Sequence, residues 1–368
     1  MHTARVIGVL EPGGAQLSAL RLARAQTALG VRTTLVAGDA TPQGVALARH
    51  YGFEVAAFAV HEQVGDATRQ WTPDPAFARW LRPLLHGCDL VHAHMFGAWW
   101  AAAVSAPPGV PVLASEHNAV RWPLGDHTRE AARAADRVDL FFVHGPEARS
   151  FVHDLGVPAA RVREGRSAIS LYAEPRPGLV SPRLTFTGRL REDKGPDLLL
   201  DALASMTDPP TTYLVGDGPM AGSLRRRVEG SALRRTVHMP GWSHEPARYV
   251  AGAAVHVVPS REEAWSQSAV TALALGVPVV ATGAEGLPIT LAEDRGLVVS
   301  PENPAALAAG IRAVLDGEVH LDAAAGRRYA ARFRAPEIAS DYFADYQSLL
   351  VGRESRPVLR PTRSAASS

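Results

Sequence analysis

Two rhythms alternate along this chain. Short β-branched runs are separated by Ala/Leu/Arg-rich segments whose apolar positions recur every three or four residues. The first rhythm predicts strands and the second helices. In the first half the strand runs are ARVIGVL (4–10), RTTLVAG (32–38), DLVHAHM (89–95), VPVLASE (110–116) and VDLFFVH (138–144). Between the first two, residues 15–29 predict a helix, with Leu22, Ala25 and Leu29 at i, i+3 and i+7 and with Leu17 and Leu20 widening the apolar face. A second series starts afresh at Leu184: RLTFTG, TTYLVGD, TVHMPG, AVHVVPS, PVVATG and GLVVS. Strand–helix alternation of this kind builds parallel sheets covered by helices, an α/β fold. Two series predict two doubly wound domains, joined near 165–182 where Pro175, Pro177 and Pro182 stiffen the chain. After Pro336, EIASDYFADYQSLL predicts a closing amphipathic helix over 337–350, with Tyr342, Phe343, Tyr346 and Leu349 on or near one face. Residues 352–368 show no periodicity and predict a disordered tail.

Composition narrows the function. Apolar residues make up 46% of the 368 and charged residues 20%, as in ordinary globular proteins. A net charge of +1 argues against a general nucleic-acid or membrane-surface binder. No apolar stretch has the roughly 20 residues that a membrane span needs, and the N-terminal residues carry no long apolar leader before the first strand. The single cysteine, Cys88, excludes an internal disulfide and fits a reducing cytoplasm, where it reads as a structural thiol. Arginine supplies the basic residues with one exception, Lys194. An isolated lysine in that background marks a place where a compact ammonium does what a planar guanidinium cannot.

The candidate chemistry sits where strands run into helices. EPGGAQ (11–16) joins the first strand to the first helix; Gly13 and Gly14 allow a diphosphate or an acceptor hydroxyl to approach backbone amides, though a plain tight turn reads equally well. The loop lacks the third glycine of the dinucleotide fingerprint. TGRLREDKG (187–195) brackets a strand end with Arg189 and Lys194, two cations suited to a departing diphosphate. VGDGP (215–219) places Gly216 in a second glycine loop, and HMPGW (238–242) places Gly241 and Trp242 where backbone groups can read a base. In PSREEAWSQSAV, Glu262 and Glu263 precede a helix for which Ser266 is a natural N-cap. A carboxylate there can accept from sugar hydroxyls, or serve only the helix dipole. His92 and His94 share one strand face, so a common metal is geometrically possible, yet no third ligand is evident and the chain has no D-x-D pair. His117, at another strand end, is the better substrate contact, with His94 beside it as a candidate for the acceptor. Trp99, Trp100 and Trp122 follow these strand ends, where they can stack on a sugar or pack between domains.

In this order, GGAQ, VHAH, SEHN, GRLREDKG, VGDGP, PGW and PSREEAWSQ…ALGVPVVAT resemble the retaining glycosyltransferases of family 4, over nearly the whole chain. The resemblance implies the GT-B fold: two Rossmann-like doubly wound domains facing a central cleft, with the acceptor domain (1–170) first and the nucleotide-sugar domain (180–336) second. It implies a soluble enzyme whose last helix crosses back to the first domain. That enzyme takes a nucleotide sugar, most often UDP-linked, and a small-molecule acceptor, and requires no metal or cofactor. It implies that Arg189 and Lys194 hold the diphosphate, that Glu263 holds donor-sugar hydroxyls, and that Ala264, Trp265, Ser266 and Gln267 present backbone amides. Gly13 and Gly14 then approach the diphosphate and His117 touches the transferring sugar.

Three departures bear on the donor. The second glutamate usual in the family is Thr271, a weaker partner for a ribose. The usual glycine–phenylalanine–glycine is Ala264, Trp265 and Ser266, and the usual Asn-Gly-Val-Asp is Ser167, Ala168, Ile169 and Ser170. These departures resemble divergent branches acting on secondary metabolites, such as actinomycete aminoglycoside glycosyltransferases. Two other readings remain: a nucleotide-sugar epimerase on the same scaffold, and a non-catalytic sugar-nucleotide sensor.

Overall fold

A computed structural model of the chain describes residues 1–62, 68–117, 125–169 and 172–354. The first series of strands forms one parallel sheet of seven: β1 (His2–Leu10), β2 (Arg32–Ala40), β3 (Val55–Val60), β4 (Leu90–His94), β5 (Val112–Glu116), β6 (Leu140–Val143) and β7 (Val162–Glu164), in the order β3-β2-β1-β4-β5-β6-β7. The second forms a parallel sheet of six: β8 (Leu184–Thr187), β9 (Thr212–Val215), β10 (Val237–Gly241), β11 (Val255–Val258), β12 (Val279–Thr282) and β13 (Leu297–Val299), in the order β10-β9-β8-β11-β12-β13.

Both sheets are wound alike. The chain builds outward from a central first strand, then crosses back over it to lay down the fourth. Loops at the C-terminal ends of the two strands flanking that reversal diverge and leave a crevice, the usual ligand position in open α/β sheets. The flanking strands are β1 and β4 in one domain, β8 and β11 in the other. β1 shows what this placement asks of sequence: residues 3–10 are buried on both faces, so the strand is a near-continuous apolar run that admits only Thr3 and Arg5 as polar members.

Two strands go beyond the sequence expectation, both on sheet edges. β3 (VAAFAV) has apolar residues without alternation, and β7 (VRE) has three residues of which two are charged; pairing with a formed neighbour decides both. The first helix occupies Gly14–Thr27. The closing helix runs Ala335–Glu354, so residues 352–354, expected in a disordered tail, continue it. Gly352 alone does not stop a helix, and no proline follows until Pro357. The rest of the expected tail lies outside the described residues. This helix returns from the second sheet to the first, where Ile338, Ala339, Tyr342 and Tyr346 pack with Leu22, Leu90, Leu113, Leu140 and Phe142. Among the described residues no helix is long and apolar enough to cross a membrane.

Candidate active site between the two sheets

The second domain contributes charged loops from its reversal point. After β8 the chain passes Arg189, then a single 3-10 turn, Glu192–Lys194. Gly195 follows at φ +61, and a Cβ there would lie 2.0 Å from the Pro259 carbonyl oxygen. Only a glycine lets the loop after β8 press this closely on the loop after β11. Gly216 serves the same packing from behind, since a Cβ there would lie 1.8 Å from the Gly188 carbonyl oxygen. Arg261 locks the two loops with paired bonds to Asp197 at 2.9 and 2.8 Å and a bond of 2.6 Å to Glu302. The result brings two motifs far apart in sequence into contact: Lys194 Nζ donates to Glu263 Oε2 at 3.1 Å and to the Glu262 carbonyl at 3.2 Å. Ser266 caps the helix Gln267–Ala274, its hydroxyl accepting from the Ala269 amide at 3.3 Å, as expected from sequence. The first-turn amides of that helix and its positive dipole end lie beside the Lys194–Glu263 pair.

The first domain contributes a row of imidazoles. His92 and His94 on β4, His117 after β5 and His144 after β6 stack in succession, with ring centroids 4.5, 5.7 and 3.8 Å apart. Burial holds all four below the ordinary histidine range. The neighbouring Arg5 charge adds to this at His92, and the charges of His92 and Arg5 do so at His94, while His117 falls to about 3. At neutral pH they are uncharged acceptors and donors. On the other face of β5, burial pushes the Glu116 carboxyl up to about 7 against the opposing bond of 2.8 Å from the Trp99 indole.

The C-terminal edges of the two sheets face each other and already touch. Glu11, in the loop after β1, forms an ion pair with Arg189, and Gln267 donates to the Gly14 carbonyl while accepting from Arg21 at 3.1 Å. The sequence marks Glu11 only by its place two residues before the glycine pair. Glu285, whose carboxylate accepts from the Glu263 amide at 2.7 Å, had no signal at all.

Several expected site residues have other employment. Trp99 is fully buried in the helix Phe96–Ser105 and spends its indole on Glu116, so it cannot stack on an acceptor. His94 is buried, with Nε2 against Arg5 and Nδ1 against His117, leaving no open ring nitrogen for an acceptor. Trp242 packs on the first domain's cluster around Leu20 and Leu47 instead of facing a base, and His244 beside it stacks on His50. The half-buried Trp265 ring packs on Phe333. Gly241 takes φ +84 at the end of β10, and Thr271 lies half-buried within the helix Gln267–Ala274. Trp122 lies outside the described residues. No group of three metal-ligating side chains occurs among the described residues.

Two doubly wound parallel domains meeting at their reversal points, with paired cations on one wall and neutral hydrogen-bonding groups on the other, define a GT-B glycosyltransferase. The chain belongs to glycosyltransferase family 4. The family profile described as Glycosyltransferase Family 4 matches residues 12–164, and the one described as Glycosyl transferases group 1 matches residues 181–317. The D-inositol 3-phosphate glycosyltransferase 1 of Catenulispora acidiphila is 30% identical over 73% of this chain and 74% of its own length. The putative teichuronic acid biosynthesis glycosyltransferase TuaC of Bacillus subtilis is 30% identical over 61% of this chain and 60% of its own. The chain spans less than half, 42%, of the D-inositol 3-phosphate glycosyltransferase of Jonesia denitrificans, to which it is 31% identical over 45% of its own residues. Among solved structures, Anabaena HepE in complex with UDP superimposes with a TM-score of 0.76 at 20% identity, over 95% of this chain and all of that one. Sucrose-phosphate synthase from Thermosynechococcus elongatus does so with a TM-score of 0.72 at 22% identity, over 96% and 100%.

Proposed function

We propose that this enzyme transfers a sugar, with retention at the anomeric carbon, from a UDP-sugar to a small hydroxylated acceptor, without a metal. The observation that carries this reading is the contact of Lys194 with Glu263 at the second domain's reversal point, together with Arg189, which reaches across to Glu11 and lies against Gly13. Arg189 and Lys194 stabilise the charge that grows on the departing diphosphate. The bond from the anomeric carbon to phosphate breaks while the acceptor oxygen bonds to the same face, and the acceptor proton passes to the leaving phosphate. Glu263 orients the donor sugar, and backbone amides of residues 264–267 bind sugar and phosphate. UDP is supported by the UDP-bound HepE neighbour. The acceptor is a ring polyol: the relatives named for inositol phosphate support a cyclitol, and the aminoglycoside-type antibiotic precursor, itself built on an aminocyclitol, is the finer reading.

Thermal unfolding with UDP, GDP, dTDP and ADP, without added metal, tests the donor. A nucleotide at about 100 times its dissociation constant stabilises the fold by about 2.7 kcal/mol. UDP is expected to give the shift and Lys194→Ala to abolish it. A UDP-sugar consumed only when inositol phosphate or an aminocyclitol is present supports transfer; consumption without acceptor points to an epimerase, and binding without turnover to a sensor.

A further inference from the structure

Arg5 lies on β1 at the level of His92 on β4, wholly buried. A guanidinium only donates hydrogen bonds. Its Nη1 donates to His94 Nε2 at 2.9 Å and lies 3.4 Å from His92 Nδ1; its Nη2 donates to Gln26 Oε1 at 2.8 Å and to the Tyr346 hydroxyl at 3.3 Å. His94 Nε2 is therefore a bare, accepting nitrogen. A neutral imidazole has one ring hydrogen, so that of His94 sits on Nδ1. Nδ1 lies 3.4 Å from His117 Nε2, and the hydrogen bond must run from His94 to His117. His117 Nε2 then accepts, and its one ring hydrogen is on Nδ1. The far end of the row closes by the same rule. His92 Nδ1 accepts from the Tyr346 hydroxyl at 2.6 Å, and its Nε2 donates to Ser115 Oγ at 2.8 Å.

We propose that Arg5 and His94 are positioning residues that lock His117 as its Nδ1–H tautomer, so that His117 meets the transferring sugar as a hydrogen-bond donor and not as a base. The role, though not the tautomer, rests on the sugar-transfer reading of the cleft. With Nε2 engaged by His94, His117 has no free lone pair to take the acceptor proton, which leaves the departing phosphate to receive it. The polarity of this relay starts from Arg5, a wholly buried cation in the middle of a core strand.

Histidine-selective 15N labelling of the full chain, with long-range 1H–15N correlation at pH 7, reads which ring nitrogen carries the hydrogen; loss of signals in His117→Asn assigns them. Wild type and Arg5→Lys, which keeps a donor-only cation, are expected to show His117 protonated on Nδ1. Arg5→Met and His94→Phe are expected to shift the hydrogen toward Nε2; should Arg5→Met not fold, His94→Phe carries the test alone. The same His94→Phe variant is expected to lower kcat about tenfold with KM for the UDP-sugar nearly unchanged. An Nε2–H form in wild type, or an Nδ1–H form that survives His94→Phe, overturns the proposal. A wild type with the Nδ1–H form and no transfer from any UDP-sugar overturns the sugar-transfer reading and leaves the tautomer standing.

Discussion

Across the cleft, the second domain carries its site charges as ion pairs that a ligand can exchange, whereas the first domain lines its strand ends with histidines that burial keeps uncharged. Lys194 with Glu263 and Arg189 with Glu11 are partly exposed pairs, cheap to open when a more highly charged anion arrives. His92, His94, His117 and His144 are held neutral by burial. The difference teaches how one cleft divides its work: mobile charge where a phosphate must come and go, fixed dipoles where a neutral hydroxyl must be aimed.

The comparison breaks most visibly under pH. Glu116 has a folded pKa of about 7, raised from 4.5, so its favourable contribution is complete below 4.5 and is lost as pH rises through 7. Wild type is expected to lose up to about 3 kcal/mol of stability from this group between pH 4.5 and 8, while Glu116→Gln escapes that loss. Urea unfolding at pH 5 and pH 8 reads it, and parallel pH slopes for the two proteins would show that the carboxyl is ionised in the folded state. The histidine row has the opposite sign. Its folded pKa values are depressed, so its contribution is present above 6.5 and is lost as pH falls, toward about 3 for His117.

On the second wall, Lys194→Ala is expected to lower kcat about a hundredfold while costing less than about 1 kcal/mol in stability, because the pair it breaks is partly exposed. Turnover with UDP-sugar and urea midpoints measure the two together; equal losses in both would make Lys194 a structural residue. The smallest effect is expected at Glu11, which competes with the diphosphate for Arg189. Glu11→Gln is expected to tighten UDP about threefold, within the range that an exposed ion pair can offset. Titration calorimetry decides, and unchanged affinity would mean that Glu11 offers the ligand no competition.

The same contrast explains what could be read in advance. The second wall is written in contiguous stretches, GRLREDKG and PSREEAWSQ, whose charges and glycines announce their loops, and Ser266 announced its cap. The first wall is assembled from single residues at separate strand ends. Arg5 sits in a run that otherwise spells a core strand, and the tautomer it sets depends on a partner 89 positions away. Trp99 looked available because local sequence does not say which side of a helix faces its own sheet. The strands of the two sheet centres were legible from their β-branched runs, while β3 and β7 owe their state to a neighbour's edge.

The closing helix has a consequence for the order of synthesis. Tyr342 and Tyr346 complete the core beneath β4, β5 and β6, and the Tyr346 hydroxyl anchors His92, yet both tyrosines are made after the whole second sheet. A nascent chain therefore emerges with its N-terminal half exposing an unfilled apolar face, and that half cannot consolidate until the closing helix leaves the ribosome. A chain terminated early would carry the complete second sheet and an unfinished first one, a natural target for quality-control proteases rather than a half-competent enzyme.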